Sequence, residues 1–195
     1  GGVTPVADGL PTLYAFLPTL ERTGLPVRIQ GPFEVPVDRE RVDLANPLNA
    51  SLLGDVAAAY ADALRSLRGR DGWSEAAPLP AELAHPALRA MASRVADALQ
   101  HEPVLRAADG AWVSPARSCL LDDASLVSPL AGFELTLDRR RPLAPAAGRD
   151  LAVARWLHVP SLGPEALCAW LARASSLAPC DDRTRAAVRA RGPRG

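Results

Sequence analysis

Arg39 and Arg41 stand two residues apart in the run Val37-Asp38-Arg39-Glu40-Arg41. In an extended segment successive side chains alternate between two sides, so both guanidinium groups would fall on one side and both carboxylates on the other. Two planar forks of donors on one side are the chemistry that holds a phosphate. The same spacing also suits a mixed-charge surface loop with local ion pairs, each worth little when exposed. Spacing alone favours that plainer reading.

Other reactive side chains are scattered. His85, His101 and His158 form no HxxxH or HxH pattern, and a metal site needs converging ligands. Cys119, Cys168 and Cys180 show no CxxC pairing and no ligand spacing with the histidines. They read as reduced, buried thiols of a cytoplasmic protein. No GxSxG elbow marks Ser51, Ser93 or Ser118 as a nucleophile. Gly24 and Gly31 in GLPVRIQGPF lack the GxGxxG spacing, so they serve a turn and a strand bend rather than a nucleotide cradle. The run Arg139-Arg140-Arg141 before Pro142 reads as a solvated loop.

Composition closes several routes. All 22 basic residues are arginine, which removes both a Walker A lysine and Schiff-base chemistry from this chain. The formal net charge is zero, against a general nucleic-acid binder. With no signal peptide and no long apolar run, the chain reads as soluble, with no membrane partner. The 195 residues, 48% of them apolar, suffice for one large domain or two small ones. The opening GGVTPVADGLP lacks an initiator methionine, which suits a fragment whose partner domain lies upstream.

The elements that must position Arg39 and Arg41 can be read in order. Leu13–Leu17 is a short apolar strand ended by Pro18, and Thr23-Gly24 marks a turn. Leu25–Val35 is a half-buried strand bent at Gly31-Pro32, and the two strands could pair as a hairpin. Pro36–Pro47 is the charged loop. Leu48–Arg68 is an amphipathic helix with Leu52, Leu53, Val56, Tyr60, Ala63, Leu64 and Leu67 at steps of three and four, Asn49 or Ser51 as its cap and Gly69 at its end. Arg70–Pro80 reads as a linker and the best subdomain boundary. Pro86 opens a second helix with the stripe Leu88, Met91, Val95 and Leu99. Val104–Val113 is a hairpin around Asp109-Gly110. Cys119–Leu121 suits a short strand, and Leu151–Leu157 and Leu162–Ser175 suit two more helices. The arginine-rich tail from Asp181 reads as frayed. The expected organisation is therefore a first segment over 1–72, a helix-hairpin-helix subdomain over 73–180, and a tail over 181–195.

The central stretch also resembles a known family. Tyr14-Ala-Phe-Leu-Pro-Thr, then Thr23-Gly-Leu-Pro-Val-Arg-Ile-Gln-Gly-Pro-Phe, then Asp38-Arg-Glu-Arg, with Asn49 and the Leu52, Leu53, Val56, Tyr60 pattern, is similar to the sacsin-type repeat region. The strong similarity covers roughly 50 residues, a fraction of a usual domain. In that family the segment follows a GHKL-type ATP-binding domain and looks like the Hsp90 middle domain. The resemblance implies an α/β (α+β) fold, a small sheet packed with amphipathic helices. It implies a chaperone-type function in which Arg39 first, and Arg41 second, reaches the phosphate of ATP and magnesium held by the upstream GHKL domain. Protein clients would be further partners. The ATPase domain's acidic helix and DxGxG motif are absent from the sequence, so this chain is not expected to hydrolyse ATP alone. A protein-interaction module without nucleotide chemistry is the alternative from a different class.

Overall fold

A computed structural model of the chain describes residues 13–15, 17–21, 23–37, 41–131, 133–135, 139–174 and 186. The fold is mixed α/β, and the chain divides into two compact units, 1–99 and 100–195. The expected boundary at 72/73 falls inside the first unit. The reason is packing: the segment after the first long helix folds back onto that helix instead of leaving it.

In the first unit, β1 (Leu13–Ala15) pairs antiparallel with β2 (Leu17–Pro18), and β3 (Ile29–Gln30) pairs with β1 parallel. The expected hairpin between the two apolar segments is therefore a parallel pair. A parallel pair needs a long crossover, and residues 19–28 supply it. Thr19, almost fully buried, secures the first corner: its Oγ1 and backbone N–H both donate to the carbonyl of Leu13, at 3.0 and 3.1 Å. Thr23 Oγ1 accepts from Leu25 N–H at 3.1 Å. Gly24, at φ +73°, then turns the chain.

Helix α1 (Pro47–Ser66) begins on Asn46, whose side chain accepts from Leu48 N–H at 2.8 Å, with Pro47 at the first helical position. The cap is thus Asn46, not Asn49 or Ser51. An Asn before a Pro suits this start because the Asn side chain satisfies an orphan donor and Pro has none to lose. The helix buries Leu53, Ala57, Tyr60, Ala61 and Leu64 against α2 (Pro86–Leu99), which buries Leu88, Met91, Ala92, Val95, Ala96 and Leu99. The alanines in both stripes favour close approach of the axes. Each large apolar side chain so buried contributes roughly 1.5–3 kcal/mol.

Between the helices, the expected linker is a packed connection. Tyr60 Oη donates to Ala76 O at 2.6 Å and Trp73 Nε1 to Leu64 O at 2.8 Å. Ala76, Ala77, Leu79 and Leu83 are buried. Two aromatic residues with polar tips thus fasten this stretch to α1.

The second unit starts with the hairpin β4 (Leu105–Arg106) and β5 (Trp112–Val113). Ala107 N–H donates to Ala111 O at 2.8 Å, so the loop is the three residues Ala108, Asp109 and Gly110, not the expected two. Gly110 takes φ +85°, the left-handed position such loops require. Strand β6 (Ser118–Leu121) lies between β7 (Arg141–Pro142) and β8 (Ser161–Leu162), parallel to both. Helices α3 (Val127–Leu130), α4 (Gly148–Trp156) and α5 (Pro164–Ala174) fill the connections and the end. Cys119, Leu126, Leu130, Leu135, Leu167 and Trp170 form the core, with Phe133 edge-on to Trp170 at 6.2 Å.

The arginine run is also a correction. Arg141 opens β7 and pairs with Asp109 at 2.8 Å, while Arg140 donates to Ser118 O at 3.4 Å. Arg140 and Arg141, both half-buried, are thus tied to β6 and to the 108–110 loop, while Arg139 is exposed in a turn, as the solvated reading expects. The tail beyond Ala174, Ala186 apart, lies outside the described residues.

Candidate functional site

The charged loop has a built foundation. Asn49 has no accessible surface, although it is an amide in the first turn of α1. Its Oδ1 accepts from Glu34 N–H at 2.8 Å. Its Nδ2 donates to Glu34 O at 2.8 Å and to Asp43 O at 2.9 Å. One side chain therefore ties the residue where the chain leaves the β3 segment to the residue where it enters α1. Asn46 adds a bond from its Nδ2 to Glu34 Oε2 at 3.0 Å. Asp43 Oδ1 accepts from Ala45 N–H at 3.0 Å. Phe33, Val42 and Leu44 are buried on either side of the clamp.

The clamp fixes Glu34 and Asp43, the residues on either side of positions 35–42. Val37 is fully exposed within it. Arg41 is exposed, and among the described residues no carboxylate lies within ion-pair distance of it. Arg39, with Asp38 and Glu40, lies outside the described residues. The pairing of Arg39 with Arg41 on one side is therefore not described, while the base from which both would project is.

Sequence reasoning missed Asn49 as a clamp. The signal was available: Asn49 falls in step with Leu53, Ala57, Tyr60 and Leu64, the buried stripe of α1. A polar residue in that register must be hydrogen-bonded or it would cost stability.

The remaining candidates have structural surroundings. His85 Nδ1 accepts from Ala87 N–H at 3.1 Å at the start of α2, and His101 and His158 are exposed. Among the described residues no three His, Cys, Asp or Glu side chains gather closely enough to hold a metal ion. Ser118 Oγ donates to Pro115 O at 2.9 Å and Ser93 Oγ to Arg89 O at 3.2 Å. Burial pushes the Cys119 thiol up from 9.0 to about 12, with Arg140 pulling the other way. A thiol so placed is inert as a nucleophile. Among the described residues no helix is long and apolar enough to cross a membrane.

Compared with protein-family models, curated proteins and solved structures, the chain matches none.

Proposed function

We propose that the first unit is a middle-domain-like segment of an ATP-dependent, chaperone-type protein, which presents the loop containing Arg39 and Arg41 to a phosphate held by a preceding GHKL domain. The observation that carries this reading is the Asn49 clamp. A mixed-charge loop with no task needs no fully buried amide joining its two ends. Fixing those ends lowers the entropy lost when the loop orders on an anion. Arg41, exposed and unpaired with any described carboxylate, is left available at the loop's exit.

The chemistry asked of the loop is electrostatic. Charge builds on the phosphoryl oxygens during transfer, and a guanidinium arriving from another domain stabilises it. Arg39 carries the main role and Arg41 the supporting one, as the sacsin-type resemblance implies. The acids Asp38 and Glu40 point the other way if the segment is extended, and so oppose the cations least in that geometry.

The test is ATP turnover by this chain together with the GHKL domain that the reading places upstream. Arg39→Ala should lower kcat by roughly 10²–10³-fold, the usual size of one lost transition-state donor, with nucleotide affinity unchanged. Arg41→Ala should fall less. Unchanged turnover in the double variant, or an upstream sequence with no GHKL domain, would leave the protein-interaction module as the function.

A further inference from the structure

A groove of about 320 Å³ runs along the first unit, between β3 and one face of α1. That is the small end of the range occupied by ligand pockets, roughly 300–1,000 Å³. Its helical wall is Val56, Ala59, Tyr60, Ala63, Leu64 and Leu67. Ala59 and Ala63 are exposed and Val56 and Leu67 half-buried, beside Tyr60 and Leu64 of the buried stripe. The stripe runs about 16 Å along the helix axis, the length of roughly five residues of extended chain.

The other wall is an open strand edge. Val27, Arg28, Ile29 and Gln30 all line the groove. Successive residues of a strand face opposite sides, so a groove touched by both Ile29 and Gln30 of β3 runs along the edge rather than over one face, with Val27 and Arg28 leading into it. Among the described residues β3 has one strand neighbour, β1. Gly31 N–H donates to Tyr14 O at 3.0 Å. The alternation then turns the peptide groups of Ile29 and Gly31 toward β1 and those of Arg28 and Gln30 toward the groove. An edge of that kind is a template for a further strand. The groove's charge is equally one-sided: among the described residues that line it, Arg28 is the charged one.

We propose that this groove binds an extended peptide of alternating apolar residues that carries one carboxylate. The peptide adds a strand to β3, sets its apolar side chains on the Val56–Leu67 stripe and places its carboxylate on Arg28. The free peptide groups of Arg28 and Gln30 are what select an extended chain, because a helix has bonded its own. This proposal does not rest on the arginine-loop reading, since every residue it uses lies outside residues 34–43.

The experiment is fluorescence anisotropy on the whole chain with a labelled heptapeptide Thr-Val-Thr-Val-Asp-Val-Thr. Three further probes accompany it: the peptide with lysine for aspartate, the peptide N-methylated at alternate nitrogens on its pairing edge, and decanoate as a competitor. The aspartate peptide should bind saturably, and the lysine and N-methylated peptides at least about tenfold more weakly, a difference near 1.4 kcal/mol. Ala63→Trp, at an exposed position, should block the groove and cost at least about tenfold. Arg28→Glu should invert the preference to the lysine peptide. Ala59→Trp serves as a second blocking variant, and circular dichroism confirms that each variant keeps its helices. No saturable binding, indifference to both tryptophan variants, or an unchanged preference in Arg28→Glu would overturn the proposal. So would N-methylation without effect, with decanoate competing as well as peptide; that result would assign the groove to a small amphiphile.

Discussion

At residue scale, the two side chains with the most decisive surroundings are an amide and a thiol. Asn49→Ala removes three hydrogen bonds at once and leaves Glu34 N–H, Glu34 O and Asp43 O without their partner. The expected cost is about 2–4 kcal/mol, from desolvated groups left unpaired. Urea denaturation should show it, and limited proteolysis should show new cleavage within 35–42 as the loop's ends part. A loss below about 0.5 kcal/mol, the range of ordinary surface changes, would remove the clamp from the account. Cys119 makes a pH prediction. Its thiol is held at about 12 in the fold against an ordinary 9.0, chiefly by burial. The folded chain keeps a proton that the unfolded chain releases, so the contribution is complete below pH 9 and is lost as pH rises toward 12. The slope is about 1.4 kcal/mol per pH unit for one group. Cys119→Ala, compared with wild type across that window, should flatten the alkaline loss of stability by up to that slope. Equal slopes in the two proteins would show that the thiol ionises freely.

At the scale of elements, local rules and long-range pairing separate cleanly. Both long helices were legible, because Leu88, Met91, Val95 and Leu99 repeat at helical steps and every one of them is buried. Pro86 and Pro47 mark starts for the same reason: each sits where a missing N–H costs nothing. The strands were legible as apolar runs but not as partners. Leu13 pairs with Ile29 across a connection whose path depends on Thr19, Gly24 and a docking segment far along the chain, and periodicity carries no such information. Asn49 misled for a related reason, since its amide could cap a helix or fasten a loop, and only the position of Glu34 decides between them. Arg140 and Arg141 looked solvated because their partners, Ser118 and Asp109, are more than twenty residues away. Gly24 tests how these elements are joined. A Cβ there would lie 2.0 Å from Glu82 O, at φ +73°, beside the bond from Ala84 N–H to Thr23 O. Gly24→Ala should therefore cost about 2–4 kcal/mol through combined strain and backbone clash, read as a lower denaturation midpoint. An unchanged midpoint would mean that the 82–84 segment is free to move away.

At the scale of the whole molecule, the division into 1–99 and 100–195 makes a claim about folding. The first unit holds its own sheet, both long helices and the connection between them. Its buried residues run from Leu13 through Leu99, and the polar fasteners Thr19, Tyr60 and Trp73 bond to partners within the unit. Near a hundred residues is also enough chain to bury a self-sufficient core. A chain of residues 1–99 should thus fold cooperatively, with a single thermal transition and a helical far-ultraviolet spectrum. A chain of residues 1–72 should not, because it lacks α2 and leaves the stripe of Leu53, Ala57, Tyr60, Ala61 and Leu64 uncovered. These two truncations set the sequence-derived boundary against the observed one directly. A cooperative 1–72 would restore the linker as a true boundary. A cooperative 1–99 beside an unfolded 1–72 would fix α2 as part of the body that carries both the arginine loop and the β3 groove, so that ligand binding at either can be measured on a unit of known integrity.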